Sequence, residues 1–135
     1  MKVEIILAII KAAKVVKISP VLLLAVCFNE SSYRNIIHPD DGHHHSYGLM
    51  QVQLRTAREF EKSITAHELM DIQTNALIGA KYLKRQIKRY SGNVDCAVNA
   101  YNKGSAYSCG EAVYVKRVKR FLKIKPWRKW YKGPL

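Results

Sequence analysis

Val21-Leu22-Leu23-Leu24-Ala25-Val26-Cys27-Phe28-Asn29-Glu30-Ser31-Ser32-Tyr33-Arg34-Asn35 is the stretch that decides how this chain folds. Val21 to Phe28 is an almost unbroken apolar run, too short to span a bilayer and long enough for a buried helix. Ser19 can cap that helix and Pro20 can take its first position, a strong start signal. Glu30 then falls at the carboxyl end. A carboxylate there meets the negative pole of the helix dipole and apolar neighbours, and both raise its pKa. A carboxylic acid kept protonated near neutral pH is what a general acid requires. The alternative is a solvated residue just past a helix end.

Working outward, Val3–Lys17 is predicted as an amphipathic helix with Ile6, Ile9, Ala13 and Val16 on one face. Lys11, Lys14 and Lys17 recur at helical spacing without a small-x-small cleavage site, so a signal peptide is not expected. After Glu30, residues 31–47 carry Pro39, Gly42 and no periodicity. A loop of that length in a compact domain is usually functional. Residues 48–53 form a short link. A helix starts near Leu54, with Ala57 and Phe60 inward. Thr65-Ala66-His67-Glu68 is a capping box opening a short turn that ends near Asp71. The longest helix spans Ile72–Tyr90, with Ile72, Ala76, Gly79, Leu83, Ile87 and Tyr90 on one stripe. Its other face carries Lys81, Lys84, Arg85, Lys88 and Arg89. Asn93 caps a helix over Val94–Asn102 that Gly104 stops. A last helix runs from Glu111 to about Lys123, before Pro126. The expected fold is all-α, with the loop after Glu30 the only place for a small β element.

The chain has 135 residues, one domain's worth, and buries enough surface to fold without a metal or disulfide. Its 23 Lys and Arg against 10 Asp and Glu give a net charge of +13. Such a surface favours polyanions: nucleic acid, anionic lipid or a phosphate-bearing wall polymer. Three cysteines make no disulfide framework. Cys96 with Cys109 can bridge, while Cys27 reads as a small buried hydrophobe. No run is long enough to span a membrane.

Four pieces stand in order along the chain: Glu30-Ser31 at a helix end, Gly48-Leu49-Met50-Gln51, Ala100-Tyr101-Asn102-x-Gly104, and Tyr114-Val115-x-x-Val118. In this order and spacing they resemble the catalytic domain of the soluble lytic transglycosylases, within the goose-type lysozyme-like superfamily. The resemblance covers about Ile5 to Phe121. It sets the expected division of the chain: a lysozyme-like catalytic domain over residues 1–125 and a basic aromatic tail over residues 126–135.

The resemblance implies a peptidoglycan-cleaving lytic transglycosylase acting on the β-1,4 bond from N-acetylmuramic acid to N-acetylglucosamine. Glu30 matches the single glutamic acid of the family, acid first and base second, closing a 1,6-anhydro ring without consuming water. Tyr114 matches a tyrosine whose hydroxyl approaches that acid, and Gln51 a glutamine lining the sugar cleft. Tyr101 and Asn102 match the pair below the cleft. Met50, in the same motif as Gln51, and Ser46 are carried as further substrate-binding candidates. Amide and phenol groups suit sugar hydroxyls, and aromatic faces stack on pyranose rings; for Tyr101 and Tyr114 the plainer reading is a half-buried core tyrosine. No cofactor and no metal are implied, and a monomer is expected.

Two positions depart from the family pattern. Gln53 stands where a methionine is common, making the cleft more polar, and the serine that usually precedes the Gly-Leu-Met-Gln run has only Ser46 as a counterpart. Asp40 and Asp41 resemble acidic residues of goose-type lysozymes. A second carboxylate there could activate water and make this an inverting hydrolase, given a separation of roughly 6.5–9.5 Å. Another acid of those lysozymes falls at Gln53, which favours the transglycosylase.

His38, His43, His44 and His45 share a loop with Asp40 and Asp41. These are zinc- or nickel-type donors, but consecutive histidines cannot easily face one ion, so a solvated loop or sugar contact is preferred. After Glu111 the chain is wholly basic among its charged residues, with Trp127, Trp130 and Tyr131 interleaved. This reads as a solvated helix face with a frayed tail, as an adhesive surface for anionic envelope polymers, or as tryptophans folding back over the core. Nucleic-acid binding is a lesser alternative, without a recognised reading motif. The site of action implied is the cell wall or periplasm. With no export signal, small size and basic charge favour a phage virion or lysis role.

Overall fold

The computed structural model describes residues 1–39, 44–106 and 109–135. Asp40, Asp41 and His43 lie outside them, and with them the proposed second carboxylate. The element order is α1 (Lys2–Val16), α2 (Pro20–Ser31), β1 (Ile37–His38), β2 (Ser46–Tyr47), β3 (Val52–Gln53), α3 (Leu54–Ala57), α4 (Ala66–Leu69), α5 (Ile72–Arg89), α6 (Val94–Lys103) and α7 (Val113–Ile124). Short 3-10 turns at Cys109–Glu111 and Pro126–Lys129 flank α7. The fold is mainly helical, as expected, with one small sheet.

The local signals operate as chemistry requires. Ser19 accepts from the Leu22 amide at 3.2 Å and Pro20 opens α2. Thr65 and Glu68 close the capping box at 3.0 and 3.1 Å. Asn93 Oδ1 caps α6 through the Cys96 amide at 3.1 Å. Asp71, read only as the end of a turn, is the N-cap of α5, accepting from the Thr74 amide at 3.0 Å.

α2 is the central element. Leu23 to Cys27 have no exposed surface, as expected for a helix that is apolar on every side. It packs between α1 and α7, while α5 covers α1 on one side and α6 on the other. The sheet is antiparallel in the order β1-β2-β3, pairing His38 with Ser46 and Ser46 with Gln53. It stands at the mouth of the helical layer, at the carboxyl end of α2. Cys96 and Cys109 are bonded, tying the segment before α7 to α6. Cys27 is free and buried.

Residues 126–135 are not a frayed tail. Trp127 is fully buried in the main core, and its turn packs on α2. Trp130 sets its ring edge-on to Tyr33 at 6.1 Å and receives Lys2 Nζ over its face at 5.8 Å. The folding-back reading therefore describes this segment. The cations of α7 do face outward: Lys116, Arg117, Lys119, Arg120 and Lys123 are exposed. No helix among the described residues is long and apolar enough to cross a membrane.

Candidate active site

Glu30 occupies the last turn of α2, and its half-buried side chain lines a cleft of about 400 Å³. The end of that helix is held by several independent contacts. Ser32 and Tyr33 both take left-handed backbone angles, φ 54° and 59°. The Ser32 amide turns back to the Phe28 carbonyl at 2.9 Å. Lys2 Nζ donates to the Ser32 and Tyr33 carbonyls at 3.1 and 3.0 Å, putting a cation at the negative pole of α2. The buried Tyr33 donates its hydroxyl to the Leu24 carbonyl at 3.0 Å. Glu30 thus sits on a helix end that is fixed rather than frayed.

Burial pushes the Glu30 carboxyl up from 4.5 to about 7, while a hydrogen bond from Tyr114 and the nearby His38 pull it part of the way back. The Tyr114 hydroxyl donates to Glu30 Oε2, and Asn29 hydrogen-bonds the same phenol. Burial, then the charge of Glu30, holds the Tyr114 hydroxyl well above its ordinary value, so it remains a donor.

The facing wall is the turn from Gly48 into β3. Its geometry depends on Asn75, a fully buried polar residue on α5. Asn75 Oδ1 accepts from the Met50 amide at 2.9 Å, and Nδ2 donates to the Tyr47 and Leu69 carbonyls at 2.8 and 2.9 Å. Gly48 lies against it with φ 76°, where an added Cβ would stand 2.6 Å from Asn75 Cγ. Gly48→Ala should therefore cost about 2 kcal/mol through the left-handed penalty and this overlap. Urea unfolding checks this; an unchanged midpoint would refute the role given to the Gly48–Asn75 contact.

Gln51 also has a left-handed backbone, φ 51°. Its Nε2 donates to the Ile36 and Gly48 carbonyls at 3.1 and 2.9 Å, and its Oε1 lies 2.7 Å from His38 Nδ1. With a carbonyl oxygen as the acceptor, His38 carries its proton on Nδ1. Gln51 lines the cleft, but its amide is engaged in fixing the β1-to-turn geometry. Gln53 Oε1 accepts from Arg55 Nε at 2.9 Å. On the floor, Tyr101 donates its hydroxyl to the Met50 carbonyl at 2.7 Å, and its ring lies 5.1 Å from that of Tyr82.

Six of the residues singled out in the sequence, Glu30, Ser46, Gln51, Gln53, Tyr101 and Asn102, line this one cleft, with Tyr114 bonded to the acid. Met50 is a correction. Its side chain has no exposed surface and fills the space over Gly79, where any Cβ would overlap it. What it offers the site is its backbone, held by Asn75 and Tyr101. The sequence reading missed Asn75 as the support of the turn; its signal was a short amide beside the apolar stripe of α5. It also missed Tyr82, Arg55 and Thr56 as lining groups. Tyr82 was visible as an aromatic set among the basic residues of α5. His44 and His45 are exposed, with His45 edge-on to Tyr47 at 6.2 Å. Among the described residues no three metal-binding side chains converge.

A half-buried acid on a rigid helix end, facing amides and tyrosines across an open cleft, can protonate a glycosidic oxygen. Residues 7–120 match the family model of the transglycosylase SLT domain, and that span contains Glu30, Tyr114 and every residue lining the cleft. The chain belongs to the transglycosylase SLT domain family, the lytic transglycosylases that act on the peptidoglycan of cell walls.

Proposed function

We propose that this enzyme cuts the N-acetylmuramic acid–N-acetylglucosamine bond of peptidoglycan without water, with Glu30 as the single acid and base. The observation that carries this reading is the state of Glu30. It is held near pKa 7 in a cleft whose lining, among the described residues, contains no other carboxylate. Tyr114 bonds Oε2, so in this reading the acidic proton sits on Oε1. Oε1 protonates the bridging oxygen and the C1–O bond breaks. The muramyl N-acetyl carbonyl shields the cation at C1. Glu30, now a carboxylate, removes the proton from the C6 hydroxyl, and that oxygen closes on C1 as a 1,6-anhydro ring. The proton given is recovered, so no water is consumed. Substrate-assisted glycosidases of this kind depart from the two-carboxylate rule.

In this reading Tyr101 and Asn102 meet the N-acetyl side of the ring and Ser46 and Gln53 the sugar hydroxyls, which their shared position in the cleft lining supports. We assign Gln51 a positioning role through His38 and the Gly48 carbonyl. The exposed cations of α7 suit adhesion to an anionic wall polymer. Products of purified peptidoglycan, read by mass spectrometry, test the mechanism: anhydro ends are one water lighter than hydrolytic ends. Hydrolytic ends would instead favour the inverting hydrolase, with Asp40 or Asp41 as its base. Intact wall material would remove both.

A further inference from the structure

The cleft continues past Tyr101 on its floor. Thr56, Tyr82 and Gly104 are shared with a second, shallower hollow of about 730 Å³. Its lining holds Arg85, Lys88 and Arg89 against one acid, Glu59. The Arg85 guanidinium stacks over the rings of Phe60 and Tyr82 at 4.6 and 5.3 Å. Glu59 holds its Nη1 at 3.0 Å, and the side chain keeps 41% of its surface exposed. Two rings and one carboxylate thus fix the plane of the guanidinium while leaving an edge free. Arg89 donates to the Gly104 carbonyl at 2.6 Å and to Ser105 Oγ at 3.1 Å, neutral acceptors that leave its charge uncompensated. Lys88 is exposed and makes no ion pair among the described residues. The hollow therefore carries excess positive charge on a rigid frame, directly continuous with the glycan cleft.

Uncharged sugars have no use for such a wall. A muramyl strand, however, bears a short peptide with several carboxylates on each muramic residue. We propose that this hollow is a subsite for the acidic stem peptide of the strand being cut, with Arg85 and Lys88 pairing its carboxylates. The proposal rests on the glycan-cleaving reading and adds to it a preference for peptide-bearing strands. Arginine is suited to the first contact because its fork can take a carboxylate with two hydrogen bonds.

The test compares the unmodified enzyme with an Arg85→Gln, Lys88→Gln double variant on two substrates: peptide-bearing strands, and the same strands stripped of peptide by an amidase. On peptide-bearing strands KM should rise about five- to tenfold, the size two exposed ion pairs supply, with kcat unchanged. On stripped strands, which keep only the lactyl carboxylate beside each muramic ring, the two proteins should be nearly equal. The difference should shrink as salt rises. An equal loss on both substrates, or no loss on either, overturns the subsite. If loss of the Arg85 stack unfolds the double variant, Lys88→Glu alone serves, since that side chain supports nothing in the fold. It should then raise KM on peptide-bearing strands alone, and a change shared by both substrates, or none, overturns the proposal. If the enzyme cuts neither substrate, the glycan-cleaving reading fails. Binding of peptide-bearing against stripped fragments to Glu30→Gln protein then still decides the subsite, and equal binding overturns it.

Discussion

Replacing Glu30 by glutamine should remove activity by about 10²–10⁴-fold, the worth of general acid–base catalysis, and at the same time stabilise the protein at neutral pH. Glutamine keeps the shape of the side chain and can accept the Tyr114 hydrogen bond, but it has no proton to give. The stability effect follows from the position of the carboxyl, raised from 4.5 to about 7. Below pH 4.5 the acid is protonated in folded and unfolded chains alike and contributes nothing. Between 4.5 and 7 the unfolded chain releases the proton while the folded chain keeps it, so the stability of the unmodified enzyme falls as pH rises. Above 7 the cost is constant. At roughly 1.4 kcal/mol per pH unit it is on the order of 3 kcal/mol. The Tm of Glu30→Gln should exceed that of the parent by a margin that opens between pH 4.5 and 7, and kcat/KM of the parent should decline as pH rises through about 7. Activity within about tenfold of the parent, well above the loss that general acid–base catalysis implies, would sink the assignment of the acid. A Tm difference that does not vary with pH would show that Glu30 titrates normally.

Truncation after Lys125 should lower stability by about 3–5 kcal/mol, the range for deleting a buried tryptophan. Trp127 lies wholly inside the core and Trp130 braces Tyr33. Tyr33, three residues past Glu30, folds back onto α2 with its hydroxyl on the Leu24 carbonyl, so the loss reaches the chain segment that leaves the helix end carrying Glu30. For a chain of this size a drop of more than about 10 °C in Tm is expected, with reduced turnover on short soluble fragments as well as on whole walls. Lys129→Gln with Lys132→Gln supplies the contrast. Both side chains are exposed, so Tm and fragment turnover should hold while wall binding at low salt weakens. A truncated protein that melts with its parent and cuts fragments at full rate would return the segment to a purely adhesive role.

Helix ends were legible in the sequence because their signals are local. Ser19-Pro20, Thr65 with Glu68, and Asn93 each satisfy a backbone amide within the same turn, so nothing distant can override them. The position of Glu30 was legible for the same reason: an apolar helix and a carboxylate at its end are neighbours in the chain. Met50 was misplaced because Gly48 and Gln51 take left-handed angles, which rotate Leu49 and Met50 together into the core. Motif adjacency to Gln51 carries no information about that rotation. Asn75 and the Cys96–Cys109 pairing depend on which elements meet, and periodicity within one helix does not report it. Trp127 was ambiguous because a basic aromatic segment has the same composition whether it lies on the surface or inserts one ring.

The two walls of the cleft differ in their freedom to change over evolution. One wall is the end of α2, whose side chains from Leu23 to Cys27 have no contact with solvent; insertions there would displace Glu30 itself. The opposite side carries Ser46 of β2, and β1 and β2 are strands of two residues each with residues 39–45 between them in the sequence. Doubling such a connection costs only about 0.6 kcal/mol of closure entropy. A change of length between these two strands is therefore cheap, whereas the same change inside α2 would shift Glu30 relative to the rest of its cleft.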